Sequence, residues 1–336
     1  MKNLLYIGNK LLKNGNTETT IDVLSRLLSL EGYIVHSFSD KKNKLLRLFD
    51  MLYNIIKHSK KTDYVLIDTY STQNFYYAYL CSQLCRILGL KYLPFLHGGN
   101  LSSRLKSSPK LSRAIFKNAY KNISPSKYIE KSFKNFGYSN IEVIPNSVEI
   151  EKYPFKRRTF EAVKLLWVRS FSVIYNPNLA IDILHELKKK GIVSSLCMIG
   201  PEKDGSLDKA KNYAKSLNLE VIFTGKLEKK EWISLSKSFN IFINTTNFDN
   251  MPVSIIEAMA LGLPIISTNV GGIPFLIDNE VDGVLVAPNN VEDFVEVILR
   301  MRSNPEKAFD ITTSARKKAE QFDWSIVKKQ WIKLLQ

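Results

Sequence analysis

Cysteine is scarce in this chain. Three stand among 336 residues, Cys81, Cys85 and Cys197. None has metal-ligand spacing, and so few thiols build no disulfide framework. They read as reduced and buried. No window approaches the apolar length of a membrane span. The opening run NLLYIG is too short for a signal-peptide core, and no small-residue cleavage site follows it. The expectation is a cytoplasmic protein, or one peripheral on the inner face of the plasma membrane. G-x-G-x-x-G is absent, which removes the dinucleotide fingerprint of a nicotinamide dehydrogenase. Asp-x-Asp is absent as well, so no metal site and no metal dependence is expected. There are no tandem repeats, no low-complexity tract and no recognisable nucleic-acid module.

Acids are scarce in the first half. Residues 1–158 carry 26 Lys and Arg against 11 Asp and Glu, a net of +15, whereas residues 159–336 carry 22 against 21, a net of +1. This asymmetry suits an anionic partner, either a membrane surface, a phosphorylated substrate or nucleic acid. It is also what a lysine-rich solvated surface would give. Segment 40–61 mixes cations with Leu45, Leu46, Leu48, Phe49, Leu52, Ile55 and Ile56. Such a helix either lies on an anionic membrane or packs its apolar face on its own sheet.

What is present is a regular alternation. NLLYIG, YIVHSFS, YVLIDT, YLPFLHG, NISPS and IEVIPN read as strands or strand ends. The second half repeats the rhythm with KLLWVR, SSLCMIG, VIFTG, IFINTT, LPIISTN and GVLVAP. Helical patterns lie between them. Strands alternating with helices imply βαβ units, and two such series imply two doubly wound α/β domains. The charged, aperiodic stretch 149–164 is the expected join. The domains are then 1–155 and 156–315. The final segment, 316–336, carries an amphipathic helix with Trp324, Ile326, Val327, Trp331 and Leu334 near one face. It is available to cross back to the first domain.

The segment that carries chemistry is FDNMPVSIIEAMALGLPIIST. Asn250 and Pro252 place a loop before a helix that starts near Val253. Asp249 falls in that loop and Glu257 in the first turns of the helix. A helix start offers unpaired N–H groups and a positive dipole end, which suits a phosphate. Carboxylates beside it can accept from sugar or ribose hydroxyls, so the pair fits a nucleotide sugar. The alternative is a capping acid followed by an exposed helix acid. On the first reading, ligand hydroxyls rather than protein groups occupy the two carboxylates. His97 ends a strand before two glycines that permit close backbone approach. A packed histidine is the other reading. Gly15, Asn16 and Thr17 lie in a loop after the first strand, as a ligand loop or as a turn and helix cap.

The acid-x7-acid spacing, followed by AMALGLPIIST, GGIPFLI and DGVLVAP, resembles the retaining glycosyltransferases of family 4, which have the GT-B fold. FLHGGN, SPSKYIEKSFKNFG and IPNSVE occur in the family's order, so the resemblance runs over nearly the whole chain. It implies two Rossmann-like domains facing each other across a cleft, acceptor on the first and nucleotide-sugar donor on the second. It implies catalytic roles for His97, Asp249 and Arg169, with His97 facing the donor sugar. Glu257 would hold the ribose, and Asn250, Met251, Pro252, Val253 and Ser254 would contact sugar and diphosphate. Gly200 and Gly225 would line the base pocket, with Gly15 and Asn16 beside the phosphates. The family places a lysine five residues after Arg169, where this chain has Ile174. Lys226 is the candidate substitute, or Tyr175 and Asn176 donate instead. No cofactor beyond the donor substrate is implied. The acceptor would be a glycan, lipid-linked or phosphorylated molecule, as in bacterial surface-polysaccharide or glycolipid synthesis. No nucleic acid is expected on this reading. The competing reading is a basic α/β protein that binds nucleic acid or membrane without transferase activity.

Overall fold

The computed structural model describes residues 1–10, 19–98 and 100–336. They form two compact units, Met1–Asn146 with Ser325–Gln336, and Ser147–Trp324.

The first unit begins with β1 (Asn3–Ile7), α1 (Thr20–Leu30), β2 (Ile34–Phe38) and α2 (Lys44–His58). It continues through β3 (Tyr64–Thr69), α3 (Asn74–Ile87), β4 (Lys91–Leu96), α4 (Leu101–Ser107) and α5 (Pro109–Phe116). It then runs through β5 (Asn122–Ser124), α6 (Lys127–Asn135) and β6 (Ile141–Val143). The second contains β7 (Val163–Val168), α7 (Pro177–Lys189), β8 (Ser194–Ile199), α8 (Ser206–Ser216) and β9 (Ile222–Gly225). There follow α9 (Lys229–Ser236), β10 (Ile241–Asn244), α10 (Val253–Ala260), β11 (Ile265–Thr268) and β12 (Val284–Val286). The chain closes with α11 (Val291–Ser303), α12 (Pro305–Glu320) and α13 (Trp324–Leu335).

Each unit has one six-stranded sheet, in the orders β2-β1-β3-β4-β5-β6 and β12-β11-β10-β7-β8-β9. Every pairing within them is parallel. Helices on both faces bury such strands completely, which is why they read as unbroken apolar runs. All residues of β3, β10 and β11 are buried, while the edge strand β2 is largely open. The twelve apolar runs of the sequence are the twelve strands of the described residues. Cys81 and Cys85 share the buried face of α3, and Cys197 is buried in β8. Burial raises the Cys85 thiol to about 12 and the Cys197 thiol to about 11.

The division between units falls after Asn146, ahead of the expected boundary at Phe155. The stretch 149–164 is not a loose join. Tyr153 is buried within the second unit. Buried Arg158 donates to the carbonyls of Ser236, Phe239 and Leu261. These anchors make a charged, aperiodic segment part of the core wall. At the other end, α12 stays with the second unit, and the segment that joins the first begins at Ser325 rather than 316. Trp331 is buried there and stacks on Phe95, with centroids 5.9 Å apart. Leu335, not Leu334, is the buried leucine of this turn.

Candidate functional site

A doubly wound sheet binds ligands outside the carboxyl ends of its strands, where the strand order reverses. In the second unit the chain runs outward from β7 to β8 and β9, then returns to β10 and runs outward through β11 and β12. The reversal lies between β7 and β10. Arg169 follows β7, and the loop 245–252 follows β10. Gly200 follows β8, Gly225 ends β9, and Gly271 and Gly272 follow β11. The chain thus brings these expected residues to one edge of one sheet.

The geometry at the reversal is specific. Arg169 and Asp249 form an ion pair, and both side chains are mostly buried. The guanidinium also lies over the Tyr175 ring, 4.6 Å from its centroid. Burial pulls the Arg169 guanidinium below its usual value, while Tyr175 acts the other way. The loop that carries Asp249 is held by Thr245, whose Oγ1 accepts from Trp167 Nε1 at 2.9 Å and lies within hydrogen-bond distance of the Tyr175 and Asn176 carbonyls. Asp249 Oδ1 accepts the Asn250 N–H at 2.8 Å. A glycine pair presses on the same loop. Gly272 N donates to the Asp249 carbonyl at 2.8 Å. A Cβ on Gly271 or Gly272 would overlap the carbonyls of Asp249 or Asn250. Gly200 is fixed for the same reason, since its Cβ would overlap the Arg169 carbonyl.

Helix α10 starts directly after this loop. Its N-cap is Pro252, which offers no capping side chain. The first N–H groups of the helix, at Val253 and Ser254, therefore have no side-chain cap. Ser254 Oγ is buried there and finds no hydrogen-bond partner among the described residues. Buried polar atoms without partners are uncommon and mark places where a ligand can complete the set.

Glu257 is buried one turn further on. Its Oε1 accepts from Tyr153 Oη at 2.6 Å and faces Lys229 Nζ at 2.9 Å. The expectation that protein groups leave the two acids to ligand hydroxyls is therefore wrong. A buried carboxylate needs partners before any ligand arrives, and protein supplies them. Neither acid is a simple cap or an exposed helix acid. Lys226 follows Gly225 on the same edge and lies 3.8 Å from Glu228. Asn176 donates its side-chain amide to Asn289 at 2.8 Å, and Tyr175 presents its ring to Arg169.

In the first unit the strand order reverses between β1 and β3. His97, just after β4, is buried. Its Nε2 lies 2.7 Å from Asp68 Oδ1, and Tyr6 Oη donates to the same oxygen at 2.9 Å. Tyr70 and Phe95 stack on the imidazole at 4.7 and 4.6 Å. Burial and the Asp68 charge push both Tyr6 and Tyr70 well above the usual phenol value. A small pocket beside Asp68 is lined by Gly8, Asn9, Tyr70, Asn74 and Tyr77. Gly15, Asn16 and Thr17 lie outside the described residues.

Sequence reasoning missed Asp68, Tyr6, Tyr153 and Lys229. Asp68 had a signal, a single acid inside the apolar run YVLIDT. Tyr153 had a weaker one, an aromatic amid charges. Lys229 had none.

The pattern described as Glycosyl transferases group 1 matches residues 150–318, which fall within the second unit. The Escherichia coli UDP-Gal:alpha-D-GlcNAc-diphosphoundecaprenol alpha-1,3-galactosyltransferase is 26% identical over 176 residues, 48% of this chain and 45% of that protein. Protein CapJ of Staphylococcus aureus is 26% identical over 254 residues, 72% of this chain and 63% of CapJ. The chain thus spans less than two thirds of the length of these relatives. The crystal structure of Anabaena HepE in complex with UDP-glucose has a TM-score of 0.82 at 15% identity, covering 100% of this chain and 99% of that one. At that identity the likeness is one of fold, the pair of Rossmann-like sheets of GT-B proteins.

Proposed function

The chain belongs to the glycosyl transferases group 1 family, and from that premise we propose that it moves a sugar from a nucleotide-diphosphate sugar to an acceptor, with retention at the anomeric carbon and without a metal. The observation that carries this reading is the switch point of the second sheet. There Arg169, Asp249 and the uncapped start of α10 meet at one edge. An arginine fork and helix N–H groups together suit a diphosphate.

In this mechanism Asp249 and Asn250, with the backbone of Met251 and Pro252, bind the donor sugar. Val253, Ser254 and Arg169 take the diphosphate, with Lys226 as a further cation on that edge. Glu257 accepts from the ribose hydroxyls while Tyr153 and Lys229 hold its Oε1 in place. Gly200 and Gly225 leave room for the base, and His97 serves the sugar. The bond between the anomeric carbon and the diphosphate oxygen breaks, and the electron pair leaves with the diphosphate. Positive charge develops on the sugar as the acceptor oxygen closes on the same face. The acceptor proton passes to the leaving diphosphate. Arg169 and the α10 N–H groups stabilise the growing negative charge, which is the largest single contribution such a site can make.

The acceptor we propose is a lipid-linked or phosphorylated glycan of bacterial surface-polysaccharide or glycolipid synthesis. The excess of cations in the first half supports it, as does the diphosphoundecaprenol acceptor in the name of the E. coli relative. The test is release of nucleoside diphosphate from a panel of UDP-, GDP- and ADP-sugars, with the product anomer assigned by proton NMR. Release from one donor class, an unchanged anomer and full activity after EDTA are expected. An inverted anomer would overturn the retaining mechanism, and loss on EDTA would overturn the metal independence.

A further inference from the structure

Helix α2 presents an apolar stripe to solvent and buries polar groups. Arg47 and Asn54 are buried together with Met51 and Ile55. Arg47 donates to the carbonyls of Lys41 and Lys42 and to Asn9 Oδ1. Asn54 donates to the Asp50 carbonyl at 2.8 Å. Outside, Leu45, Leu46, Phe49, Tyr53 and Ile56 are 56–68% exposed. Leu46, Phe49, Tyr53 and Ile56 follow one another at spacings of three, four and three, so they share a face. The helix is well made, with the Asn43 side chain capping Leu45 and Leu46 N–H. Its exposed stripe is therefore a property of a formed element. The alternative in which the helix spends its apolar residues on its own sheet accounts for Met51 and Ile55, with Leu52 packed beside them, and leaves the outer stripe uncovered.

Cations bracket the stripe. Lys41, Lys42 and Lys44 stand at its start, and Lys57, Lys60 and Lys61 at its end, all exposed. Lys57 lies 5.8 Å from the Tyr53 ring centroid. Asp40 and Asp50 are the acids of segment 40–61.

We propose that this face of α2 docks on an anionic lipid bilayer, with the helix lying in the plane of the interface. The apolar stripe enters the acyl boundary and the lysines meet the lipid phosphates. The charge pattern decides between occupants. A two-fold dimer through this face would set the same lysines of two copies against each other, which repels. A nucleic acid would satisfy the lysines but leave the apolar stripe without a partner. A bilayer answers both features at once. Among the described residues no helix is long and apolar enough to cross a membrane, so this contact is a surface one. The inference stands apart from the transferase reading.

The test is cosedimentation of the full chain with vesicles of phosphatidylcholine, with and without phosphatidylglycerol. Wild type is expected to pellet with the anionic vesicles and to stay in solution with the neutral ones. Leu46→Ser/Phe49→Ser/Ile56→Ser is expected to lower the anionic partition coefficient by at least about tenfold through lost apolar burial. Lys57→Gln/Lys60→Gln/Lys61→Gln is expected to lower it roughly a hundredfold. These residues are exposed, so both variants should keep the wild-type melting temperature and sugar-nucleotide binding. Binding that survives both sets, or no binding by wild type, would overturn the proposal. So would a wild-type dimer in sedimentation velocity that the serine variant dissociates.

Discussion

Asp68 Oδ1 takes two hydrogen bonds, from Tyr6 at 2.9 Å and from His97 Nε2 at 2.7 Å. An ionised carboxylate can only accept, so Nε2 carries the proton and Nδ1 is left to face away from Asp68. The pair fixes the tautomer and the ring position of a residue proposed to serve the sugar. Asp68→Asn is expected to reduce turnover roughly a hundredfold through misplacement of that ring. His97→Ala should lose as much, and the double variant no more than either. Equal effects that add independently would show that the two residues do not act as a unit.

Tyr153 Oη donates to buried Glu257 Oε1 at 2.6 Å. Tyr153→Phe keeps the packing and removes the bond, so stability should fall by about 1–3 kcal/mol. Urea unfolding of the purified variant measures it. Donor affinity should weaken in the same variant if Glu257 meets the ribose. A stable variant with weakened affinity would place Tyr153 in positioning alone.

Asp204 ties two loops of the same sheet edge together. It accepts from Ser172 Oγ at 2.6 Å and from Val173 N at 3.1 Å, and also from Ser206 Oγ. These bonds lower its carboxyl to about 2. An unfolded aspartate titrates at about 3.9. The folded value is the lower one, so the contribution is present above the unfolded value and is lost as pH falls toward the folded one. Acid unfolding curves of wild type and Asp204→Asn should therefore converge over that window and separate above it. Parallel curves throughout would contradict the assignment.

The three thiols are buried, and burial raises Cys85 to about 12 and Cys197 to about 11. The thiolate is the reactive form. A disulfide-exchange reagent at mildly alkaline pH should label none of them in the native protein and all three in guanidinium. Rapid native labelling would mean that α3 or β8 opens locally.

Much of the fold was legible because parallel strands covered on both faces must be apolar throughout. VLI in β3 and IFI in β10 carry that mark without any knowledge of partners. The start of α10 was legible from Pro252, which fixes the residue before the helix. What stayed hidden depends on partners far along the chain. Tyr153 meets Glu257, and Arg158 meets Leu261, each across about a hundred residues. Nothing in the local spacing of a charged segment announces such bonds, so 149–164 read as a join. The Asp68–His97 contact depends on the register of β3 against β4, where Thr69 pairs with Leu96. Spacing along the chain does not give that register. The ion pair of Arg169 with Asp249 follows from β7 lying next to β10, a fact of sheet order rather than of sequence order.

The measurement that bears most directly on the account is calorimetric titration of UDP-, GDP- and ADP-sugars into wild type and Glu257→Ala. One sugar nucleotide is expected to bind wild type, to raise its melting temperature and to fail to bind Glu257→Ala while that variant stays folded. Wild type that binds none of them at millimolar concentration, or a Glu257→Ala variant that binds as wild type does, would contradict the donor site at the switch point of the second sheet.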